Sequence, residues 1–229
     1  MWLVKVGGSL MDSAALQSWL GVLASFGGGR VVIVPGGGPF ANQVRRAQDM
    51  WGIDNGVAHR MAILAMEQYG LMMSGIRPDL RLASSPEEIE KVLRDAAVPV
   101  WLPAAMTLDS PELPETWDLT SDSLAAWLAN KLGAQMLVLV KSVVPGEPSI
   151  TAANLCARGV VDPMFHQMAA PGSYETRLMG REQYGMMERM LVTGMSAGTL
   201  VMTRMPGQEP EPIAVVRRTL RRPRRPAPH

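Results

Sequence analysis

The strongest constraint on this chain is a repeated local pattern, an apolar run of strand length that stops abruptly in glycines. Residues 2–6, Trp-Leu-Val-Lys-Val, run into Gly7-Gly8-Ser9, and Val31-Val32-Ile33-Val34 runs into Pro35-Gly36-Gly37-Gly38. Short apolar runs bounded by turn residues read as strands buried on both faces. Between the two, Leu16, Leu20 and Leu23 recur at helical spacing, Asp12 or Ser13 can cap the helix, and Gly27-Gly28-Gly29 stops it. Strand, glycine turn and helix in repeated order predict a doubly wound parallel sheet, whose ligands sit beyond the carboxyl ends of the strands. Both glycine turns lie at such ends.

Further along, residues 57–73 predict a long helix. Ser85-Pro86-Glu87-Glu88 supplies a cap, a proline at the first helical position and acids in the first turn. Residues 98–102 predict a strand. Thr120-Ser121-Asp122 opens a helix with Leu124, Trp127, Leu128 and Leu132 on its apolar face, and residues 136–140 predict the next buried strand. After Lys141, Pro145, Pro148, Pro163 and Pro171 cut the chain into short pieces until residues 195–202. Residues 217–229 hold six arginines and three prolines, which predicts a flexible tail over 216–229.

A chain of 229 residues, 47% hydrophobic, is long enough to bury one substantial core. Its 22 basic and 21 acidic residues nearly cancel, so no global field points to nucleic acid or to a membrane surface as partner. Cys156 is the single cysteine, which excludes an intrachain disulfide and fits a cytoplasmic setting. No apolar run reaches the roughly 18 residues of a membrane span.

The chemistry concentrates at the strand ends. Lys5 followed by Gly7, Gly8 and Ser9 places an ammonium beside backbone amides that can close on phosphate oxygens, although the lysine precedes the glycines, unlike a Walker loop. Gly36, Gly37 and Gly38 form a second such turn, and their entropic cost suits close approach to a ligand. Each turn also has a plain structural reading. Asp122 is either a first-turn acid favoured by the helix dipole or a carboxylate that holds Lys5 and a magnesium-bound phosphate in register. Lys141 ends a strand, as an ordinary exposed lysine or as a nucleotide contact. His59 and the methionines around it read as core or subunit contact. Arg45 and Arg60 are either helix arginines facing water or partners for a local anion.

Lys5-Val6-Gly7-Gly8-Ser9-Leu10, Val34-Pro35-Gly36-Gly37-Gly38, Thr120-Ser121-Asp122-Ser123-Leu124-Ala125 and Lys141-Ser142-Val143 together resemble the amino acid kinase family in order and spacing. The resemblance covers residues 1 to about 165. Residues 39–45 and 58–70 look most like the branch that phosphorylates the phosphate of an aminomethylfuran-methanol phosphate, in methanofuran-type coenzyme synthesis. What it implies is a three-layer α/β/α sandwich with a mainly parallel sheet, forming one domain over residues 1–215. Its acceptor-binding half is expected at about 1–115 and its nucleotide-binding half at about 116–215. The implied cofactors are ATP and Mg2+, with no side chain assigned to the metal. Lys5 and Asp122 take the catalytic roles; Gly7, Gly8, Ser9, Gly36, Gly37 and Gly38 bind phosphate. Lys141, Ser142 and Asp162 meet the nucleotide, while Asn42, Arg45 and His59 meet a small phosphorylated acceptor. A homo-oligomer is expected.

One departure stands out. Many family members carry a second catalytic lysine late in the chain, whereas no lysine follows Lys141 here, leaving Arg177, Arg181 or Arg189 as the available late cations. This departure motivates the reading of a nucleotide- or oxyanion-binding protein without catalysis, and a uridylate-like nucleoside monophosphate kinase, which shares the phosphate-on-phosphate chemistry, is the other alternative to the furan reading.

Overall fold

The computed structural model describes residues 1–203; the arginine- and proline-rich tail and the end of the expected domain lie outside the described residues. The first half contains β1 (Trp2–Val6), α1 (Ala15–Phe26), β2 (Val31–Pro35), α2 (Gly38–Trp51), α3 (Asn55–Ile76), β3 (Leu80–Ala83), α4 (Pro86–Arg94), β4 (Val98–Trp101) and α5 (Ala104–Thr107). The second contains α6 (Ser121–Lys131), β5 (Met136–Lys141), β6 (Ser149–Thr151), α7 (Ala152–Ala157), α8 (Phe165–Ala169), β7 (Glu175–Gly180), α9 (Tyr184–Thr193) and β8 (Thr199–Met202).

The strands form one sheet in the order β3-β4-β2-β1-β5-β7-β8-β6. β1 lies between β2 and β5 and is parallel to both, so that Lys5 stands beside Val34 and Leu139. β8 pairs antiparallel with β7 and parallel with β6, which makes the sheet mainly rather than wholly parallel. Successive strand residues point to opposite faces. Leu3, Leu137, Leu139 and Leu178 meet Leu124 and Leu128 of α6 and Phe165 of α8 on one face. Val4, Val6, Val138 and Val140 meet Trp19 and Leu23 of α1 and Met187 and Leu191 of α9 on the other. The architecture is an α/β sandwich with the core split between two layers.

Local differences from the sequence reading have physical causes. The chain leaves β1 through a 3-10 turn, Gly8–Leu10, before α1 begins at Ala15. Ser13 Oγ accepts from the Ala15 amide at 3.2 Å, while Ala14, at the cap position, offers no side-chain acceptor. α3 extends beyond the expected span at both ends; its earlier start follows from Asp54, which caps it by accepting from the Val57 amide at 3.0 Å. The Ser85 cap forms as expected, and Glu88 Oε2 reciprocates by accepting from the Ser84 amide at 2.7 Å. β7 is a strand that sequence patterning hid, because Glu175 and Arg177 make its opening look polar. Their charges meet each other at 2.6 Å, and Arg177 Nη1 also donates to the Gly198 carbonyl. No helix among the described residues is long and apolar enough to cross a membrane.

Candidate active site

β1 carries Lys5 into the sheet with its side chain only 5% exposed, and α6 brings the Asp122 carboxylate to it from its first turn. Lys5 Nζ lies 2.9 Å from Asp122 Oδ1, and Lys141 Nζ, at the end of β5, donates to Asp122 Oδ2 at 2.5 Å. One buried carboxylate thus bridges ammonium groups from two neighbouring strands. Burial pushes the Asp122 carboxyl up, but the charges of Lys141 and Lys5 override it and hold the group at about 2. Burial lowers the Lys5 ammonium, Asp122 opposes that, and Lys141 adds to it. Such a trio carries more positive than negative charge. Burying it in this way adds little to stability, so a bound anion that completes the charge is the natural complement.

The two glycine turns sit against each other beside this trio. A Cβ on Gly8 would lie 2.1 Å from the Gly38 amide nitrogen, and Gly38 itself adopts φ +55°. One turn approaches the other so closely that glycine is required here for packing alone, beside any ligand the turns hold. Gly36 closes the β2 end, with its amide donating to the Val6 carbonyl at 3.0 Å, and Gly7 is buried at the start of the 3-10 turn. Ser9, by contrast, is exposed.

A cavity of about 330 Å³ opens over the turns, with Gly8, Ser9, Gly37 and Gly38 at one side. Ser121 and Leu124, flanking Asp122 in sequence, line it as well. α2 contributes Asn42 and Arg45, and α3 contributes His59, so the three expected acceptor residues share one wall system. Ile63, Met66 and Leu119 make the remainder largely apolar. Arg45 Nη1 donates to Asn42 Oδ1 at 3.2 Å, and its guanidinium lies 4.3 Å above the Trp117 ring. Trp117 is in turn fixed by its indole N–H, which donates to Gln48 Oε1 at 2.6 Å. His59 is buried, and burial lowers its pKa despite opposing help from the Thr116 backbone and Glu115. It therefore faces the cavity as a neutral imidazole at pH 7.

Other candidates are placed elsewhere. Arg60 turns to Asp109, at 2.8 Å, and to Glu115. Ser142 is exposed in the loop after β5. The Asp162 carboxylate is engaged by the start of α6, accepting from the backbone and side chain of Thr120 and of Ser123. Arg177 is committed to Glu175 and Gly198, whereas Arg181 directly follows β7 and Arg189 lies on α9, both exposed. Among the described residues no cluster of three or more His, Cys, Asp or Glu is arranged to hold a metal ion. Sequence reasoning missed Asp12 and Trp117 as cavity residues. Trp117 belongs to an irregular segment with no periodicity that could have marked it.

Known proteins match this architecture. Residues 1–145 match the amino acid kinase family. The [5-(aminomethyl)furan-3-yl]methyl phosphate kinase of Methanocaldococcus jannaschii is 28% identical over 144 residues, which is 62% of this chain and 66% of that protein, just under two thirds of its length. The uridylate kinase of Archaeoglobus fulgidus superposes with a TM-score of 0.65 at 15% identity, covering 88% of this chain and 98% of that one. The UMP kinase of Ureaplasma parvum gives 0.65 at 16% identity, with 88% and 95% covered. Lys5, both glycine turns, Asp122 and Lys141 all fall inside the family match, and the chain accordingly belongs to the amino acid kinase family and shares its fold.

Proposed function

We propose that the chain transfers the γ-phosphoryl group of ATP, taken as its magnesium complex, to the phosphate of an aminomethylfuran-methanol phosphate. An acceptor phosphate oxygen bonds to the γ-phosphorus as the bond to the β-bridging oxygen breaks, so the products are the furan diphosphate and ADP. The observation that carries the reading is the buried Lys5–Asp122–Lys141 trio beside a cavity walled by Asn42, Arg45 and His59. Its sequence likeness to the furan phosphate kinase supports the acceptor.

Phosphoryl transfer asks for alignment and charge neutralisation rather than covalent help. In this reading Lys5 neutralises the transferring group, and Asp122 keeps Lys5 aimed. Backbone amides of Gly8, Gly37 and Gly38 hold phosphate oxygens, while Lys141 and Ser142 approach the nucleotide from the other side of the trio. Neutral His59 hydrogen-bonds the acceptor, leaving Arg45 to meet its charge. Both Asp122 oxygens face ammonium groups, so Mg2+ fits best as a counterion on the nucleotide phosphates, where it supplies charge neutralisation. Arg181 and Arg189 are the late cations available to the leaving phosphate, and the nucleotide occupies the half from about residue 116.

A uridylate-like reading has the fold in its favour. The apolar wall of Ile63, Met66 and Leu119 argues for a small acceptor over a nucleobase with several polar edges. The exposed stripe of Val57, Leu64 and Leu71 on α3 supports a homo-oligomer. A cytoplasmic setting, where ATP is supplied, completes the proposal.

The test is an assay with ATP and magnesium against the furan phosphate, uridylate and simple amino acids, following ADP and product together. Diphosphate from the furan phosphate supports the reading, and turnover of uridylate alone replaces it. ATP binding without turnover of any acceptor makes the chain a binding protein.

A further inference from the structure

We infer that Asp162 is a positioning residue, which sets the first turn of α6 and through it the place of Asp122 between the two lysines. The inference rests on the catalytic role proposed above for Asp122.

The start of α6 has no local side-chain cap. Thr120 occupies the cap position in an extended conformation, yet its side chain makes no capping bond to the helix. The capping acceptor comes from a distant segment. Asp162 Oδ2 accepts from the Thr120 amide at 3.1 Å, from the Thr120 hydroxyl at 2.8 Å and from the Ser123 amide at 3.0 Å. Asp162 Oδ1 accepts from the Ser123 hydroxyl. These four bonds straddle Asp122 in sequence, so the backbone on either side of it is pinned.

Asp162 is itself held in place. It is buried, its carbonyl accepts from the Phe165 amide at 3.1 Å and from Cys156 Sγ, and α8, which follows it, packs on α6. Burial and the neighbouring Asp122 charge raise its pKa, which the bonds from Ser123 and Thr120 oppose. A carboxylate with four donors on it is occupied with the helix, which separates its role from direct nucleotide contact. A rigid first turn has a mechanistic consequence, because Asp122 can hold Lys5 on a transferring phosphoryl group only if its own backbone does not shift.

The experiment compares Asp162→Ala, Asp162→Asn and Asp122→Asn, singly and with each Asp162 change added to Asp122→Asn, on whichever acceptor the wild type turns over. Asp162→Ala is expected to lower kcat about a hundredfold, the scale of a slight misplacement of catalytic groups, with the KM for ATP nearly unchanged. Asp162→Asn keeps an oxygen for the Thr120 and Ser123 amides and is expected to recover most of the loss. In the Asp122→Asn background neither change should lower kcat further, since the positioned group is gone. A crystal structure of Asp162→Ala should show the Asp122 carboxylate displaced from Lys5 or Lys141. Losses that multiply with Asp122→Asn, an Asn variant as poor as Ala, or an unmoved Asp122 would each overturn the inference. If the wild type turns over no acceptor, the proposed function fails while the crystallographic comparison still decides this one. Should Asp162→Ala not fold, Ser123→Ala and Thr120→Val remove single bonds and carry the same comparison.

Discussion

Lys5 and Asp122 each keep only 5% of their side-chain surface in water, so their charges are sustained by one another and by Lys141. Replacing Lys5 by Ala leaves the Asp122–Lys141 pair intact and should preserve the fold. The loss should fall on the transition state, with kcat reduced about 10²- to 10³-fold, as for removal of a group that stabilises developing charge. Steady-state kinetics beside a thermal melt check this; a near-normal kcat removes Lys5 from the mechanism. Asp122 also gives a pH signature. Its carboxyl is held at about 2, below the ordinary 3.8 of an aspartate, so the unfolded chain binds its proton first on acidification. The stability it contributes is present above pH 4 and is lost as the pH falls toward 2. Melts between pH 5 and pH 2 should therefore show a smaller acid-dependent decline for Asp122→Asn than for the wild type.

Contacts between elements decide how the site is shaped. The β1 and β2 turns touch through backbone, so a methyl group at Gly8 cannot be relieved by rotating a side chain away from Gly38. Gly8→Ala should cost about 1–3 kcal/mol, the usual range for overpacking, and lower the melting temperature measurably. An unchanged melt means that the turns can separate. On the opposite wall, residues 108–119 present Trp117 to Arg45 of α2. Trp117→Ala should release Arg45 and raise the acceptor KM roughly two- to fivefold, the equivalent of a cation–π contact at an exposed site. The KM for ATP should not change, and a rise in both would point to general loosening.

At the scale of the molecule, α3 joins the cavity over the glycine turns to the outer surface. His59, Ile63 and Met66 face inward, while Val57, Leu64 and Leu71 recur every seven residues, 42%, 45% and 52% exposed. A stripe of that kind on a long helix is suited to a second copy of the chain. Light scattering coupled to size exclusion should find an oligomer for the wild type and a smaller species for Leu64→Glu. A monomeric wild type assigns the stripe no role in self-association.

The sequence by itself determined the buried strands, the glycine turns, the α6 start and the kinase-type order of motifs, because periodicity, caps and turn residues act over a few neighbours. It also brought Asn42, Arg45 and His59 forward by resemblance, and the structure places all three at one cavity. β7 was illegible because Glu175 and Arg177 make its opening look polar, whereas on the strand they pair with each other and Arg177 also donates to the distant Gly198 carbonyl. Trp117 was illegible because an irregular segment has no period to read. Only the tertiary structure decided that Gly8 lies on Gly38, that Asp122 joins two lysines rather than serving the helix dipole alone, and that Asp162 reaches back 39 and 42 residues to take the cap. For the carboxylates the physical reason is the same. A buried charge or an unpaired amide must find a partner in space, and the chain supplies it from wherever packing brings a suitable group within reach.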